Sequence, residues 1–203
     1  FICMASPLLI AALCMGKRHT GAFLFCFAGM GMCLLSAYLN TFLAALYGAD
    51  AFAATVEIAP VVEEGMKLLP LLFYLLVFEP QARQIGIAAV ITALSFATFE
   101  NICYLIQNGA AHFSFIFFRG IGTGAMHVIC GAIVGGGLAY VWRRTWLKIA
   151  GTCGLLGAAI TFHAIYNLLI AYGGTAQYIA YLLPVGILAA GKLIARYLKA
   201  AEG

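Results

Sequence analysis

Of the chain's 203 residues, 65% are hydrophobic and only 9% charged, against roughly 25% charged in a soluble domain. That composition, with a mean hydropathy of +1.03, excludes a freely soluble protein, and the apolar runs lack the alternation of a β-barrel. The formal net charge of +4 sits in basic residues beside apolar runs and does not indicate nucleic-acid binding.

The class this predicts is all-α: a polytopic integral membrane bundle forming one domain over residues 1–203. Apolar windows of about 20 residues place seven transmembrane helices near 1–16, 20–47, 52–78, 84–107, 120–142, 149–172 and 176–197. The first is short, and the chain opens on Phe1 rather than Met, which reads as a fragment whose preceding segment is unseen. The second is long enough to tilt. The third, "IAPVVEEGMKLLPLLFYLLVF", holds Glu63, Glu64 and Lys67 between Pro60 and Pro70. Each charge near a bilayer centre costs roughly 2.5–3.5 kcal/mol, so the three together need a reason. The prolines interrupt the backbone ladder and predict a kink that admits water.

The fourth span contains "SFATFENICYL", in which Phe96 and Glu100 share a face and Asn101 adds an amide. In the fifth, "GIGTGAMHVICGAIVGGG", glycines surround His127, and Gly131 and Gly135 form a G-x-x-x-G pair suited to close helix approach. The sixth carries His163 and Asn167 at i,i+4 in "TFHAIYNLLIAY". The seven cysteines form no C-x-x-C pair and read as small apolar packing residues. His19 and His112 fall in connections and receive no role.

Basic residues set the orientation. Lys17, Arg18, Arg83, Arg143, Arg144, Lys148, Arg196 and Lys199 fall on one side, whereas the other offers Asp50 and only Arg119. This predicts the N-terminus outside and the C-terminus in the cytoplasm. On that map Glu63, Glu64, Glu100, His127 and His163 all lie about 10–14 Å below the outer boundary at 1.5 Å per residue. Each has a plainer reading. Glu63, Glu64 and Lys67 could form a structural ion pair, Glu100 could partner Lys67 or Arg119, and either histidine could bond across helices. Residues placed for packing alone would not agree in depth on four helices, and the agreement predicts a shared site.

At these residues the chain resembles the PrsW family of intramembrane proteases, which is related to the CAAX prenyl-protease and bacteriocin-immunity superfamily. The pattern E-E-x-x-K is Glu63-Glu64-Gly65-Met66-Lys67, F-x-x-x-E runs from Phe96 to Glu100, the later histidine is His127, and His163 to Asn167 resembles H-x-x-x-N. The resemblance covers about residues 57–170, taken as the catalytic core. Where an H-x-x-x-D acid would fall, His127 is followed by Gly131 and His163 by Asn167. The resemblance implies an endopeptidase in a prokaryotic plasma membrane. Its substrate would be a membrane protein or peptide, such as an anti-sigma factor, cut near the extracytoplasmic face.

Two histidines and a glutamate make a zinc-type ligand set with a fourth position open for water. Glu100, His127 and His163 are assigned as ligands of a divalent metal, and Glu64 as general base. Glu63 is oriented by Lys67, and Asn167 donates to the oxyanion. The choice between Glu63 and Glu64 as base stays open. The rival mechanism is metal-free, with a glutamate activating water and His and Asn forming the oxyanion hole. A proton- or ion-coupled carrier would also bury carboxylates, but it commonly shows paired repeats and a midplane site, and the sequence shows neither. A haem protein using His127 and His163 axially would sit oddly beside three carboxylates.

Overall fold

A computed structural model of the protein describes residues 17–109 and 112–201. The first expected span, 1–16, lies outside the described residues. Every regular element among the described residues is helical. Helix α1 runs Lys17–Tyr47, and a short α2, Ala51–Ala53, is capped by Asp50, whose carboxylate accepts from the Ala53 N–H at 2.8 Å. A π-helical turn, Ala54–Ile58, passes directly into α3, Ala59–Phe78. Then come α4 (Ala82–Asn108), α5 (Phe113–Val141), a 3-10 turn (Thr145–Leu147), α6 (Lys148–Tyr172) and α7 (Gly174–Ala201).

Local chemistry sets these boundaries. Glu79 takes the left-handed conformation (φ 45°) and Pro80 follows, so α3 cannot continue. Gln81 and Gln84 cap one another across the first turn of α4. Gly109 and Gly173, at φ 69° and 71°, close α4 and α6.

The π turn has a specific cause. In π register the Ala59 N–H reaches the Ala54 carbonyl, and the next bond would run from residue 60 to Thr55. Pro60 has no N–H to give. The Asn167 side-chain amide of α6 donates to the Thr55 carbonyl instead, at 2.9 Å.

Among the described residues, five helical stretches are long and apolar enough to cross a membrane: Gly21–Tyr47, Ala82–Gln107, Phe113–Val141, Thr145–Tyr172 and Gly174–Ile194. Helix α3 has 20 residues but carries Glu63, Glu64 and Lys67 and is not among them. Exposed aromatics gather at both ends of the bundle, with Tyr47, Phe113 and Tyr172 at one and Tyr140 and Trp146 at the other, as at membrane interfaces.

Helix α5 is central, packing on α4, α6 and α7, while α1 lies on α3 and α4. The Gly131–Gly135 pair lies against α4, where a Cβ on either glycine would press on Ala93, Ala89 or Gly86. Helices α1 and α4 approach most tightly at Gly29, where any Cβ would overlap the Ser95 hydroxyl and the Thr92 carbonyl. Two apolar clusters result, one around Leu71, Met126, Val134 and Leu138, the other joining Met30 and Cys33 of α1 to Phe96 and Phe99 of α4.

Candidate functional site

The charges of α3 point inward. Glu64 and Lys67 are 3% and 5% exposed, and the Lys67 ammonium bonds Glu64 Oε1 at 2.6 Å. The expected pairing of Lys67 with Glu63 is therefore corrected. On a helix both glutamates can reach Lys67, one at i,i+3 and the other at i,i+4, so neighbouring helices decide. His127 and His163 stand on the Glu64 side, whereas Glu63 turns toward α1 and accepts a hydrogen bond from the Asn40 amide at 3.4 Å.

From Lys67 the network continues through three more helices. Its ammonium also donates to His127 Nδ1 at 2.7 Å, which leaves the imidazole proton on Nε2. That nitrogen donates to Glu100 Oε2 at 2.7 Å, and the other oxygen of Glu100 accepts from Arg119 at 3.3 Å. On α6, His163 Nδ1 lies 2.8 Å from Glu64 Oε1. A carboxylate only accepts, so Nδ1 carries the proton and the lone pair of His163 sits on Nε2. This nitrogen faces Glu63 Oε2 at 3.8 Å. The two imidazoles meet edge to face with centroids 5.0 Å apart. Phe96 closes one side, 5.4 Å from the His127 ring and 4.9 Å from Lys67 Nζ.

Six of the seven residues expected at the site thus meet in one buried cluster: Glu63, Glu64, Lys67, Glu100, His127 and His163. The seventh, Asn167, takes no part in these bonds: one N–H of its amide donates to the Thr55 carbonyl and props the π turn, and the amide has a second N–H. Asn40, inside the long apolar run of α1, is the member that sequence reasoning missed. Arg119, expected in a connection and as one possible partner of Glu100, lies within α5, which begins at Phe113, and pairs with Glu100. Phe96, the first residue of F-x-x-x-E, packs on His127 and Lys67.

Glu63, His127 and His163 each offer a ligand atom, and these atoms lie within 4.8 Å of one another. Glu63 and His163 fit a divalent metal as they stand, whereas His127, held at both ring nitrogens, would bind it through Nδ1 only with Lys67 displaced. Glu63 Oε2 is buried without a hydrogen-bond partner, His163 Nε2 presents its lone pair toward it, and the Glu64 carboxylate fixes the tautomer from behind, as in carboxylate–histidine–metal triads. Glu100, expected as a ligand, is engaged by His127 and Arg119.

Beside the cluster opens a cleft of about 490 Å³ between α1 and α4, with Glu63, Glu100 and Arg119 on its wall.

No curated protein and no solved structure matches the chain. A family model described as PrsW family intramembrane metalloprotease matches residues 17–190, which takes in every residue of the cluster. Glutamates and histidines buried at one level of an apolar helical bundle are what such an enzyme requires, and the chain belongs to the PrsW family of intramembrane metalloproteases.

Proposed function

We propose that the protein hydrolyses a peptide bond of a single-span membrane protein or membrane peptide, with Glu63, His127 and His163 holding a zinc-type divalent ion. The observation that supports this most directly is the convergence of those three donors beside a cleft. Such an ion supplies Lewis-acid polarisation of the scissile carbonyl and makes water acidic enough to attack near neutral pH. The chain's own residues do the rest. Glu64 holds the His163 ring from Nδ1, and Glu100 holds His127 from Nε2. Lys67 neutralises Glu64, so the buried site carries less net charge. Of the acids on the cleft wall, Glu63 and Glu100, the second stands outside the ligand set. We assign Glu100 as the group that takes the proton of the attacking water and returns it to the leaving amine. Glu64, 3% exposed and not on the cleft wall, serves better as an orienting group than as the base. The distribution of basic residues supports a cluster on the extracytoplasmic side of a plasma membrane.

The test is metal analysis of purified protein beside cleavage of a model membrane substrate. About one ion per chain is expected, lost in His163→Ala and Glu63→Gln because two remaining ligands hold an ion poorly. Glu100→Gln should bind the ion about 10–100-fold more weakly, as a carboxylate behind His127 is lost, and with the ion at saturation should still lose at least about 10²-fold in cleavage, the usual scale of a missing general base. Full cleavage by metal-free protein would favour the rival in which Glu63 activates water unaided.

A further inference from the structure

At the end of the bundle opposite Asp50, a second cleft of about 390 Å³ opens where the α3–α4 and α5–α6 connections meet. Its rim is charged, with Glu79 just after α3, Arg143 just after α5 and Lys148 at the start of α6. Its inner wall is apolar, with Leu75 and Leu76 of α3, Ile85 of α4 and Ala139 of α5. Leu75 lies one helical turn before Glu79, and Ala139 one turn before Arg143. At 1.5 Å per residue the apolar groups are therefore about 6 Å deeper than the charges. Trp142 lies beside them, its indole N–H donating to Thr152 at 3.2 Å and its ring centroid 5.3 Å from the Lys148 ammonium. Tyr140 and Trp146 are exposed at the same end, which sets the charged rim at the level of lipid headgroups.

The charges of the rim are available. Among the described residues, no ion pair or side-chain hydrogen bond engages the Glu79 carboxylate, the Arg143 guanidinium or the Lys148 ammonium. Arg144, by contrast, lies over the Tyr140 ring at 4.8 Å and does not line the cleft. An excess of basic residues at one end of a membrane protein is ordinary, but it does not account for an unpaired acid on the same cleft. Nor is the acid there for backbone comfort. Glu79 is the one non-glycine residue at positive φ among the described residues, in a conformation that glycine adopts at less cost.

An occupant that satisfies all three charges must carry an anion, a hydrogen-bonding cation close to it, and an apolar tail. A small anion, or a headgroup with only negative charge, would pair with Arg143 and Lys148 and meet repulsion from Glu79. A metal ion would find one acid and two cations. A choline headgroup brings a positive charge but no N–H for the carboxylate to accept. A headgroup that joins a phosphate to a primary ammonium meets each condition, and its acyl chain continues onto the apolar wall.

We propose that this cleft binds a phospholipid of the phosphatidylethanolamine type. Arg143 and Lys148 take its phosphate through charge-assisted hydrogen bonds, Glu79 accepts from its ammonium, and Leu75, Leu76, Ile85 and Ala139 hold the start of a chain. The site is separate from the glutamate–histidine cluster, yet it grips the end of α3, the helix that supplies Glu63, Glu64 and Lys67.

The experiment follows lipid retention by the full chain in detergent, using native mass spectrometry and thermal unfolding. The probes are dioleoyl phospholipids with ethanolamine, choline or glycerol headgroups. About one ethanolamine lipid per chain should be held about fivefold more tightly than the choline lipid, the scale of one net hydrogen bond, and should raise the unfolding temperature most. Glu79→Gln and Glu79→Gly should each erase that preference, and the glycine variant should fold well because it relaxes the left-handed residue. Arg143→Ala should weaken all three lipids, since each carries the phosphate. Phosphoethanolamine without acyl chains should leave the unfolding temperature unchanged; a rise equal to that with the lipid would replace the lipid by a soluble ligand and overturn the proposal. Tightest retention of the glycerol lipid, unaltered in Glu79→Gln, would make the cleft a general anionic-lipid site and also overturn it. So would equal retention of the three lipids by the parent, or an undiminished ethanolamine preference in Glu79→Gly.

Discussion

Lys67 touches a carboxylate, an imidazole and an aromatic face within one buried volume, and its removal strands Glu64. Breaking one side of a buried pair typically costs about 3–5 kcal/mol, so Lys67→Ala should unfold at markedly lower denaturant or temperature in detergent. Glu100→Gln keeps shape and hydrogen-bonding capacity and gives up the longer, partly exposed pair with Arg119, so it should lose much less. Equal stability of the two variants would show that His163 alone sustains Glu64. For Glu64→Gln we expect folded protein whose metal affinity falls about 10–100-fold, the usual effect of losing a carboxylate behind a ligating histidine; titration with zinc against a competing chelator measures it. At this scale the sequence was informative about which residues meet and less so about which atoms pair. Span edges and helical rise put Glu63, Glu64, Glu100, His127 and His163 at one depth. The partner of Lys67 was not readable, because i,i+3 and i,i+4 are equally close on a lone helix and the choice is made by His127 and His163 from other helices.

Among the elements, the contact between α4 and α5 carries the site, since Glu100 and His127 face each other across it. Gly131 sets the separation: a side chain there meets Ala93 Cβ at 2.7 Å and the Ala89 carbonyl at 3.0 Å. The second of these is backbone and cannot turn aside. Gly131→Leu should therefore cost on the order of 1–3 kcal/mol, as overpacking does, and should reduce cleavage by lengthening the Glu100–His127 bond. Gly124, with open space at its Cβ, is the control, and Gly124→Ala should leave both stability and cleavage near the parent. Loss in both variants would mean that α5 tolerates no added side chain at either glycine and that the contact with α4 is not the cause, since both changes raise helix propensity. The G-x-x-x-G spacing was legible in the sequence. The close approach at Gly29 was not, because a lone glycine in an apolar run announces no partner.

At the scale of the molecule, the connections at the end that holds Asp50, residues 48–50, 109–112 and 173, contain no lysine or arginine. Arg119 belongs within α5 rather than to that surface, which sharpens the charge asymmetry. The opposite end carries Arg83, Arg143, Arg144 and Lys148. A reporter fused after Arg144 should accordingly register as cytoplasmic and one near Asn108 as external; the reverse pattern would move the proteolytic face to the cytoplasm. Helix class and the course of the long helices were legible because about 20 apolar residues have few alternatives in a bilayer. Element ends were less so, as the Phe-rich opening of α5 shows: a window centred on the glycines begins after Arg119 and hides it.

The exchange between Pro60 and Asn167 has a consequence for how this sequence can vary. A side chain of α6 completes the backbone of a turn more than a hundred positions away because proline cannot. The two residues are therefore a single inherited decision rather than two independent ones. In a background that keeps Pro60, Asn167→Leu orphans the Thr55 carbonyl. In a background with alanine at 60, the chain can supply its own donor and the same change becomes nearly silent. Ancestors of this protein would have had an easy route only through the asparagine first and the proline second, and reversal would be open only in the opposite order.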